Sequence, residues 1–242
     1  TAAMADGALL APGAVVGTLR GSAADLLRCE RTILNLMSRL CGVATLTGEY
    51  VAATAGSAAK VYDTRKTTPG WRRLEKHAVA CGGGTNHRTG LFDAVLIKDN
   101  HLALGGEFGR TPADAVRASR RRFPDRVIEV EVDTLDQLDD VLPAGPDIVL
   151  LDNMTGDELR EAVRRRDAVA PGVVLEASGG VRLGTIGAIA STGVDRISVG
   201  ALPHGATAVG GGLEWGLREG TNGRLDGQLD GQLNGPPDGP MA

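Results

Sequence analysis

Residues 127–153 read VIEVEVDTLDQLDDVLPAGPDIVLLDN, and this stretch contains the unit that decides the fold. It opens with apolar residues that alternate with glutamates, which is the pattern of a β-strand. Asp133-Thr134 has the features of a helix start, and the segment TLDQLDDVL is helix-like. A second apolar run, DIVLLDN, comes next. The order strand, helix, strand predicts two parallel strands joined by a covering helix.

The same unit recurs along the chain. Apolar, strand-like runs occur as AKVYDT, AVLIKDN, VIEVEVD, DIVLLDN, VVLEASGG and RISVGA. Helix-like segments lie between most of them, and two further helix starts are Thr111-Pro112 and Thr155. This alternation indicates an α/β fold whose parallel sheet is covered by helices, either a barrel or an open doubly wound sheet. We favour a parallel (β/α) barrel-like domain, because the polar residues gather at one end of the strands.

The two ends of the chain follow other patterns. Residues 9–19 look like short strands joined by a Pro-Gly turn, and Ser22 is placed to cap a long helix. We expect Gly42 to end or kink that helix and a second helix to stop at Gly56. The tail from about residue 220 is rich in Gly, Asp, Gln and Pro, so we expect it to be disordered.

Composition excludes several classes of protein. The chain has 242 residues and a net charge of -4, so no global basic field indicates nucleic acid or membrane binding. Three scattered cysteines are too few for a disulfide framework and predict reduced thiols in a cytoplasmic protein. No apolar run is long enough to span a membrane and no signal peptide is visible. Because the first residue is Thr1, we expect the natural start to lie upstream.

Polar residues stand at the carboxyl end of each predicted strand. In parallel barrels this is the end where catalytic groups lie, so we predict an active site there. The strand ends carry, in chain order, Asp63-Thr64-Arg65-Lys66, Lys98-Asp99-Asn100, Glu131 with Asp133, Asp152-Asn153, Ser178-Gly179-Gly180, and Gly200 with His204 beyond it.

The residue types at these positions indicate anionic substrates. Several cations are present, namely Arg65, Lys66, His87, Arg88 and Lys98, with Arg31 on the upstream helix. Arginine and lysine bind carboxylates and phosphates, so this surplus predicts a substrate with several negative groups. The carboxylates of Glu131 and Asp152 would serve a metal ion or sugar hydroxyls, and the glycine-rich ends would present backbone N–H groups to phosphate. Arg65 and Lys66 taken alone are also compatible with a solvated surface, and Lys98 with a structural ion pair.

Longer blocks of the sequence resemble the quinolinate phosphoribosyltransferase family. They run in the same order from about residue 15 to residue 204: RTILNLMSRLCGVATLT, DTRKTTPGWRRLEKHAVACGGGTNHRTGLFDAVLIKDNH, IEVEVDTLDQ, LLDNM, EASGG and GVDRISVGALPH. The resemblance implies a pentosyltransferase that joins quinolinate to phosphoribosyl pyrophosphate with Mg²⁺. The products would be nicotinate mononucleotide, pyrophosphate and CO₂, in the de novo synthesis of NAD.

The resemblance also implies a role for each candidate residue. Quinolinate would contact Arg65, His87, Arg88 and Lys98, together with Arg31 from the second subunit of a homodimer. Phosphoribosyl pyrophosphate would contact Lys66, Glu131, Asp152, Ser178, Gly179, Gly200 and His204. Lys66, Lys98, Glu131 and Asp152 would be the catalytic residues, and Glu131 and Asp152 would also hold the metal.

The family pattern predicts three regions. Residues 1–28 would be the remnant of an N-terminal α/β open-faced sandwich domain, residues 29–219 the catalytic barrel, and residues 220–242 the disordered tail. Three alternatives stay open. They are a relative associated with molybdenum transport, a Schiff-base aldolase that uses Lys98, and a binding subunit that has lost activity together with its N-terminal domain.

Overall fold

A computed structural model describes residues 4–106, 111–216 and 224–231. The strands are β1 (Ala14–Ser22), β2 (Lys60–Tyr62), β3 (Ala94–Ile97), β4 (Val127–Val132), β5 (Ile148–Asp152), β6 (Val174–Ser178), β7 (Arg196–Ser198), β8 (Gly212–Gly216) and β9 (Arg224–Gly231). The helices are α1 (Ala23–Ala53), α2 (Arg72–Cys81), α3 (Asp99–Gly106), α4 (Pro112–Arg122), α5 (Leu135–Val141), α6 (Gly156–Val169), α7 (Leu183–Ala190) and α8 (Ala201–His204), with a 3₁₀ turn at Leu142–Ala144.

Six strands form one parallel sheet in the order β2-β7-β6-β5-β4-β3. Strands in this order can surround a barrel. In the described residues β2 and β3 are the two edge strands, and the seam of the barrel would lie between them. Thr85 covers part of that seam, because its N–H donates to the Val61 carbonyl at 2.8 Å and its carbonyl accepts from the Asp63 N–H at 3.1 Å. The prediction of an α/β fold with a parallel sheet covered by helices is confirmed, and the order of the six strands agrees with a barrel-like arrangement.

Strand β4 shows how the sheet separates apolar from acidic side chains. Ile128, Val130 and Val132 are fully buried in the apolar core beneath the helices. Glu129 and Glu131 alternate with them and face the opposite side, where they are also buried. The predicted strand alternation therefore places both glutamates inside the barrel.

The predicted helix starts are confirmed by their capping contacts. The side chains of Thr111, Thr134 and Thr155 each accept a hydrogen bond from the backbone N–H three residues later. Ser22 caps α1 in the same way through the N–H of Asp25. Each cap satisfies a backbone donor that the first helical turn leaves free.

The predictions for the long first helix are wrong at Gly42. Helix α1 continues through this residue to Ala53, so the two expected helices are one. A side chain at position 42 would overlap the carbonyl oxygen of Thr207. Close approach of the returning chain, and not helix termination, is the reason for a glycine here.

The two ends of the described chain form a second, antiparallel sheet in the order β1-β9-β8. Residues 9–19 were expected to contain short strands, and the structure has the single strand β1 after a turn at Gly13. The prediction of a disordered tail is wrong for Arg224–Gly231, which pairs with both β1 and β8. Backbone pairing needs no apolar side chains, and composition alone does not reveal it. The remaining tail residues lie outside the described part of the chain.

Candidate active site

A cavity of about 420 Å³ opens at the carboxyl ends of the barrel strands. All six parallel strands, or the loops that follow them, contribute to its wall. It is lined by Thr64, Arg65, Lys66, His87, Arg88, Leu96, Lys98, Glu131, Leu150, Asp152, Glu176, Ser178 and Ser198. The prediction that polar residues at the strand ends converge is correct for most of them, but Asp99, Asn100 and Asp133 line a separate cavity.

A smaller cavity of about 210 Å³ adjoins the first. The two share Thr64, Lys66, Ser178 and Ser198. Glycines at 179, 180 and 200 and the imidazole of His204 complete the smaller cavity. The predicted residues thus fall into two groups. Charged side chains line the larger cavity, and glycines that expose backbone groups line much of the smaller cavity.

Arg31 is the one predicted site residue that lines neither cavity of the described chain. Its side chain is 74% exposed on α1, and its guanidinium lies 3.9 Å from the carboxylate of Glu30. The described chain therefore does not bring Arg31 into either cavity.

The acidic wall of the larger cavity comes from β4 and β5. Glu131 accepts a hydrogen bond from Lys98 Nζ at 2.5 Å, so the ion pair considered as the structural alternative for Lys98 is present. Asp152 accepts from the side-chain amide of Asn153 at 2.6 Å. Asn153 has a positive φ of 55°, and its N–H donates to the Ser178 carbonyl at 2.9 Å. The turn after β5 is therefore fixed against the end of β6.

His87 lies deeper, between two buried glutamates. Its Nε2 is 3.3 Å from carboxylate oxygens of both Glu129 and Glu176. Burial lowers the pKa of His87, but the hydrogen bonds and charges of the two carboxylates outweigh it and raise the pKa to about 9. The N–H of Arg88 also donates to Nδ1, at 2.8 Å, and protonation of Nδ1 would displace that bond. The two carboxylates nevertheless dominate, because buried ionic contacts are stronger than one neutral hydrogen bond.

Burial and the nearby carboxylate of Glu176 raise the pKa of Glu129. An imidazolium at His87 offsets this repulsion. Glu176 is also 3.5 Å from the guanidinium of Arg196 and accepts a short hydrogen bond from the Ser198 hydroxyl. These contacts hold the acids at the base of the cavity as a neutralised cluster.

Two arginines face the cavity with no carboxylate partner within salt-bridge distance among the described residues. Arg88 donates to the Ala94 carbonyl at 3.1 Å. Burial lowers the pKa of the Arg88 guanidinium, and the positive charge of Arg65 lowers it further. Nη1 of Arg65 is buried and has no hydrogen-bond partner among the residues that the structure describes. Two close guanidiniums with a free buried donor form a site for an anion.

A buried ion pair positions the loop that carries Arg65 and Lys66. Nζ of Lys76 on α2 donates to Asp63 at 2.6 Å and to the His87 carbonyl at 2.8 Å. Asp63 also accepts from the His87 N–H at 2.7 Å. Burial raises the pKa of Asp63, and the bond to Lys76 opposes that rise. Helix α2 thus connects the strand end before the loop to the segment that carries His87.

The smaller cavity presents backbone groups. Gly179 and Gly180 have positive φ values of 90° and 59°, and a side chain at position 179 would overlap the side chain of Asn153. Gly200 packs on the aliphatic part of Lys66, and His204 Nδ1 lies 3.3 Å from the Lys66 carbonyl. This chamber suits a phosphate, which backbone N–H groups and a lysine bind well.

The chain matches two family models. The model described as quinolinate phosphoribosyl transferase, C-terminal domain, covers residues 43–213, and that for the N-terminal domain covers residues 1–41. The chain belongs to the quinolinate phosphoribosyltransferase family. The two matched regions meet inside α1, between residues 41 and 43, and not after residue 28, where the sequence pattern predicted the boundary.

Curated relatives support membership of the quinolinate phosphoribosyltransferase family. The nicotinate-nucleotide pyrophosphorylase (carboxylating) of Mycobacterium leprae is 48% identical over 86% of this chain and 72% of the relative. The probable enzyme of the same name from Bacillus subtilis is 44% identical over 82% and 67%. The structure of the nicotinate-nucleotide pyrophosphorylase of Francisella tularensis superposes with a TM-score of 0.80 at 39% identity, covering 95% of this chain and 74% of that one.

Residue-by-residue comparison with the quinolinate phosphoribosyltransferase family missed part of the cavity wall. The structure adds Thr64, Leu96, Leu150, Glu176 and Ser198 to the predicted residues. Strand alternation could have found two of them, because Glu176 stands two residues before Ser178 and Ser198 two residues before Gly200.

Proposed function

We propose that this chain transfers the phosphoribosyl group of phosphoribosyl pyrophosphate to quinolinate and releases CO₂. One observation carries the proposal: a single cavity is lined both by two guanidiniums and by carboxylates. One of the guanidinium donors, on Arg65, is buried and has no partner among the described residues. Membership of the family supplies the reaction. A Schiff-base aldolase fits less well, because Nζ of Lys98, the atom that would attack a carbonyl substrate, is held by the carboxylate of Glu131 at 2.5 Å.

Quinolinate would occupy the side of the cavity next to Arg65, Arg88 and His87. Its two carboxylates need at least two cationic partners, and among the described side chains neither Arg65 nor Arg88 has a carboxylate within salt-bridge distance. His87 would add positive charge, because its pKa is raised to about 9. Lys98 would contact the substrate as well and would then share its charge with Glu131.

Phosphoribosyl pyrophosphate would extend between the two chambers. Its 5′-phosphate fits the smaller chamber, where Ser178, Gly179, Gly200 and His204 line the wall. Its ribose would lie near Glu131 and Asp152 in the larger chamber. Lys66 lines both cavities and is placed to contact the negative groups at either end.

The Mg²⁺ implied by the family fits the carboxylates present. Glu131 and Asp152 present oxygen atoms to the cavity, and Mg²⁺ prefers oxygen ligands together with substrate phosphates. Glu131 and Asp152 would hold the ion, and when bound it would offset the charge of the departing pyrophosphate.

The reaction requires no covalent nucleophile on the protein. The bond between the anomeric carbon and pyrophosphate breaks, and the pyridine nitrogen of quinolinate forms a new bond to that carbon. Loss of the adjacent carboxylate as CO₂ leaves an electron pair on the pyridinium ring, which then takes up a proton. Glu131 and Asp152 would stabilise positive charge on the ribose, and the two arginines would orient the pyridine.

The first experiment combines the protein with phosphoribosyl pyrophosphate, Mg²⁺ and either quinolinate or nicotinate, with products followed by mass spectrometry. We expect nicotinate mononucleotide from quinolinate alone. Arg88→Ala should abolish the product, whereas Arg73→Ala, at an exposed arginine of α2, should not. Quinolinate binding without product would identify a binding subunit, and neither binding nor product would contradict the proposal.

We further propose a homodimer in which Arg31 completes the active site of the second copy. The exposed position of Arg31, away from its own cavity, supports this arrangement. Arg31→Ala should abolish activity and the matched Arg28→Ala should not. Mixing equal amounts of Arg31→Ala and Arg88→Ala subunits should restore about a quarter of the wild-type activity. About half of the dimers are then mixed, and each mixed dimer contains one intact site out of two. No recovery on mixing would contradict a shared site.

The proposed location is the cytoplasm, where the three free thiols would stay reduced. None of the helices in the described ranges is both long enough and apolar enough to cross a membrane.

A further inference from the structure

A second cluster of potential ligands lies outside the active site, at the end of α2. His77 and Cys81 are four residues apart and occupy one face of the last helical turns. Asp6 reaches them from the chain that precedes β1. We propose that Asp6, His77 and Cys81 form a binding site for Zn²⁺ with three protein ligands.

The distances in this cluster suit a tetrahedral metal. Nε2 of His77 is 3.0 Å from an Asp6 carboxylate oxygen and 3.5 Å from Sγ of Cys81. All three potential ligand atoms lie within 4.8 Å of one another. Ligand atoms about 2.0–2.3 Å from a tetrahedral zinc are roughly 3.3–3.6 Å apart, so small side-chain adjustments would admit the ion.

The backbone holds Asp6 in place before any metal binds. Asp6 lies in a turn closed by the Ala8 N–H, which donates to the Ala5 carbonyl at 3.1 Å. Gly7 has a φ of 80°, and a side chain there would come 2.9 Å from the Cys81 carbonyl oxygen. A glycine at position 7 therefore allows this turn to pack directly on the end of α2.

The chemistry of the ligands favours zinc over harder cations. One thiolate, one imidazole and one carboxylate match the sulfur, nitrogen and oxygen donors that Zn²⁺ accepts, whereas Mg²⁺ prefers oxygen alone. A thiolate and a carboxylate also neutralise the two charges of the ion. Zn²⁺ would displace the thiol proton of Cys81 to solvent and form a Zn–S bond, and His77 would bind as the neutral imidazole.

Two further features support a metal site here: the cluster is open to solvent, and a second thiol lies nearby. The side chains of His77 and Asp6 are 60% and 79% exposed, so an ion can enter and keep a water molecule as its fourth ligand. Cys41 on α1 lies close enough that Asp6 and Cys81 both act on it. Burial raises the pKa of the Cys41 thiol, and the charges of Asp6 and Cys81 raise it further.

A zinc ion here would connect the start of the chain to a helix that supports the active site. Lys76, next to His77, holds Asp63 and the His87 carbonyl. The expected effect is therefore on the stability of the fold. Zinc should protect the folded chain against heat without taking part in the reaction.

The test is a titration of the metal-free full chain with Zn²⁺ against a chromophoric chelator, repeated with Co²⁺ as a spectroscopic probe. We expect one Zn²⁺ per chain and a thiolate-to-Co²⁺ charge-transfer band in the near ultraviolet. Cys81→Ser should abolish the band. His77→Ala should weaken binding by at least the roughly 10- to 100-fold that loss of an outer-shell partner costs at metal sites.

Two further variants serve as a control and as a test of the third ligand. Cys29→Ser, at an exposed thiol elsewhere on α1, should bind Zn²⁺ like the wild type. Asp6→Asn changes an exposed side chain, so its folding should be unaffected while its zinc affinity falls. Absence of the thiolate band, or unchanged affinity in Cys81→Ser and His77→Ala, would overturn the proposal. Zinc binding that disappears only in Asp152→Asn would place the ion in the active site and would also overturn it.

Discussion

The buried pair of Lys76 and Asp63 offers the sharpest test of how the fold supports the site. Lys76→Met keeps the length of the side chain and removes its charge. The side chains are 5% and 0% exposed, so the substitution leaves a carboxylate buried without its cation. Removing one partner of such a pair costs about 3–5 kcal/mol of unfolding free energy. We expect a loss in this range at pH 7.

The loss should depend on pH in a defined direction. Burial already raises the pKa of Asp63, and Lys76 opposes the rise, so the substitution raises the pKa further. The folded variant then binds a proton that the unfolded chain releases at the same pH. Its stability should therefore increase as the pH falls from 7 towards 5, by up to about 1.4 kcal/mol per pH unit.

Urea denaturation followed by circular dichroism at pH 7 and pH 5.5 measures both effects. Lys76→Met combined with Asp63→Asn should regain part of the loss, because the amide keeps an oxygen for the His87 N–H and carries no charge. Arg160→Met is the matched control, since Arg160 and Asp157 form an exposed ion pair of similar length, 2.7 Å. That control should cost less than about 1 kcal/mol. A Lys76→Met variant that loses as little as the control, or a double variant that recovers nothing, would refute the reasoning.

Three other outcomes follow from single positions. Gly42→Ala should lower the unfolding free energy by about 1–3 kcal/mol, because the new side chain would overlap the returning chain at Thr207. Gly48→Ala in the same helix should be neutral or stabilising, because the nearest atom to its new side chain is the Gly82 carbonyl oxygen at 3.8 Å; thermal melts of both variants measure the difference. The stabilisation from His87 is present below pH 6.5 and is lost as the pH rises through about 9, so urea midpoints should fall over that interval and fall less in His87→Gln. Gly179→Ala should raise KM for phosphoribosyl pyrophosphate, while Gly172→Ala, which meets no atom within 4 Å, should leave steady-state kinetics unchanged.

Local chemistry made much of the fold predictable. Strand alternation at Glu129 and Glu131, and threonine caps at 111, 134 and 155, are encoded within a few residues of the elements they define. The convergence of the polar strand ends follows from the parallel sheet alone. These features depend on neighbours in sequence, so a single sequence contains them.

Features that depend on remote contacts were not predictable. Gly42 matches a helix stop by residue type, but the Thr207 carbonyl that requires a glycine is distant in sequence. The pairing of β9 with β1 likewise joins opposite ends of the chain and uses backbone groups that every residue has. Lys76 is one of several charged residues on α2, and only the fold reveals that its partner is Asp63.

The balance of charge in the cavity argues for a substrate with two carboxylates. His87 and Arg196 neutralise the deep acids Glu129 and Glu176, and Lys98 neutralises Glu131. The two arginines that face the cavity are left without an acidic partner in the described chain. A pyridine with one carboxylate would satisfy only one of these guanidiniums and leave the other buried beside a like charge, which is costly. If Arg65 and Arg88 bind the pyridine as proposed, a second carboxylate relieves the repulsion between them, and we expect the protein to select quinolinate over nicotinate.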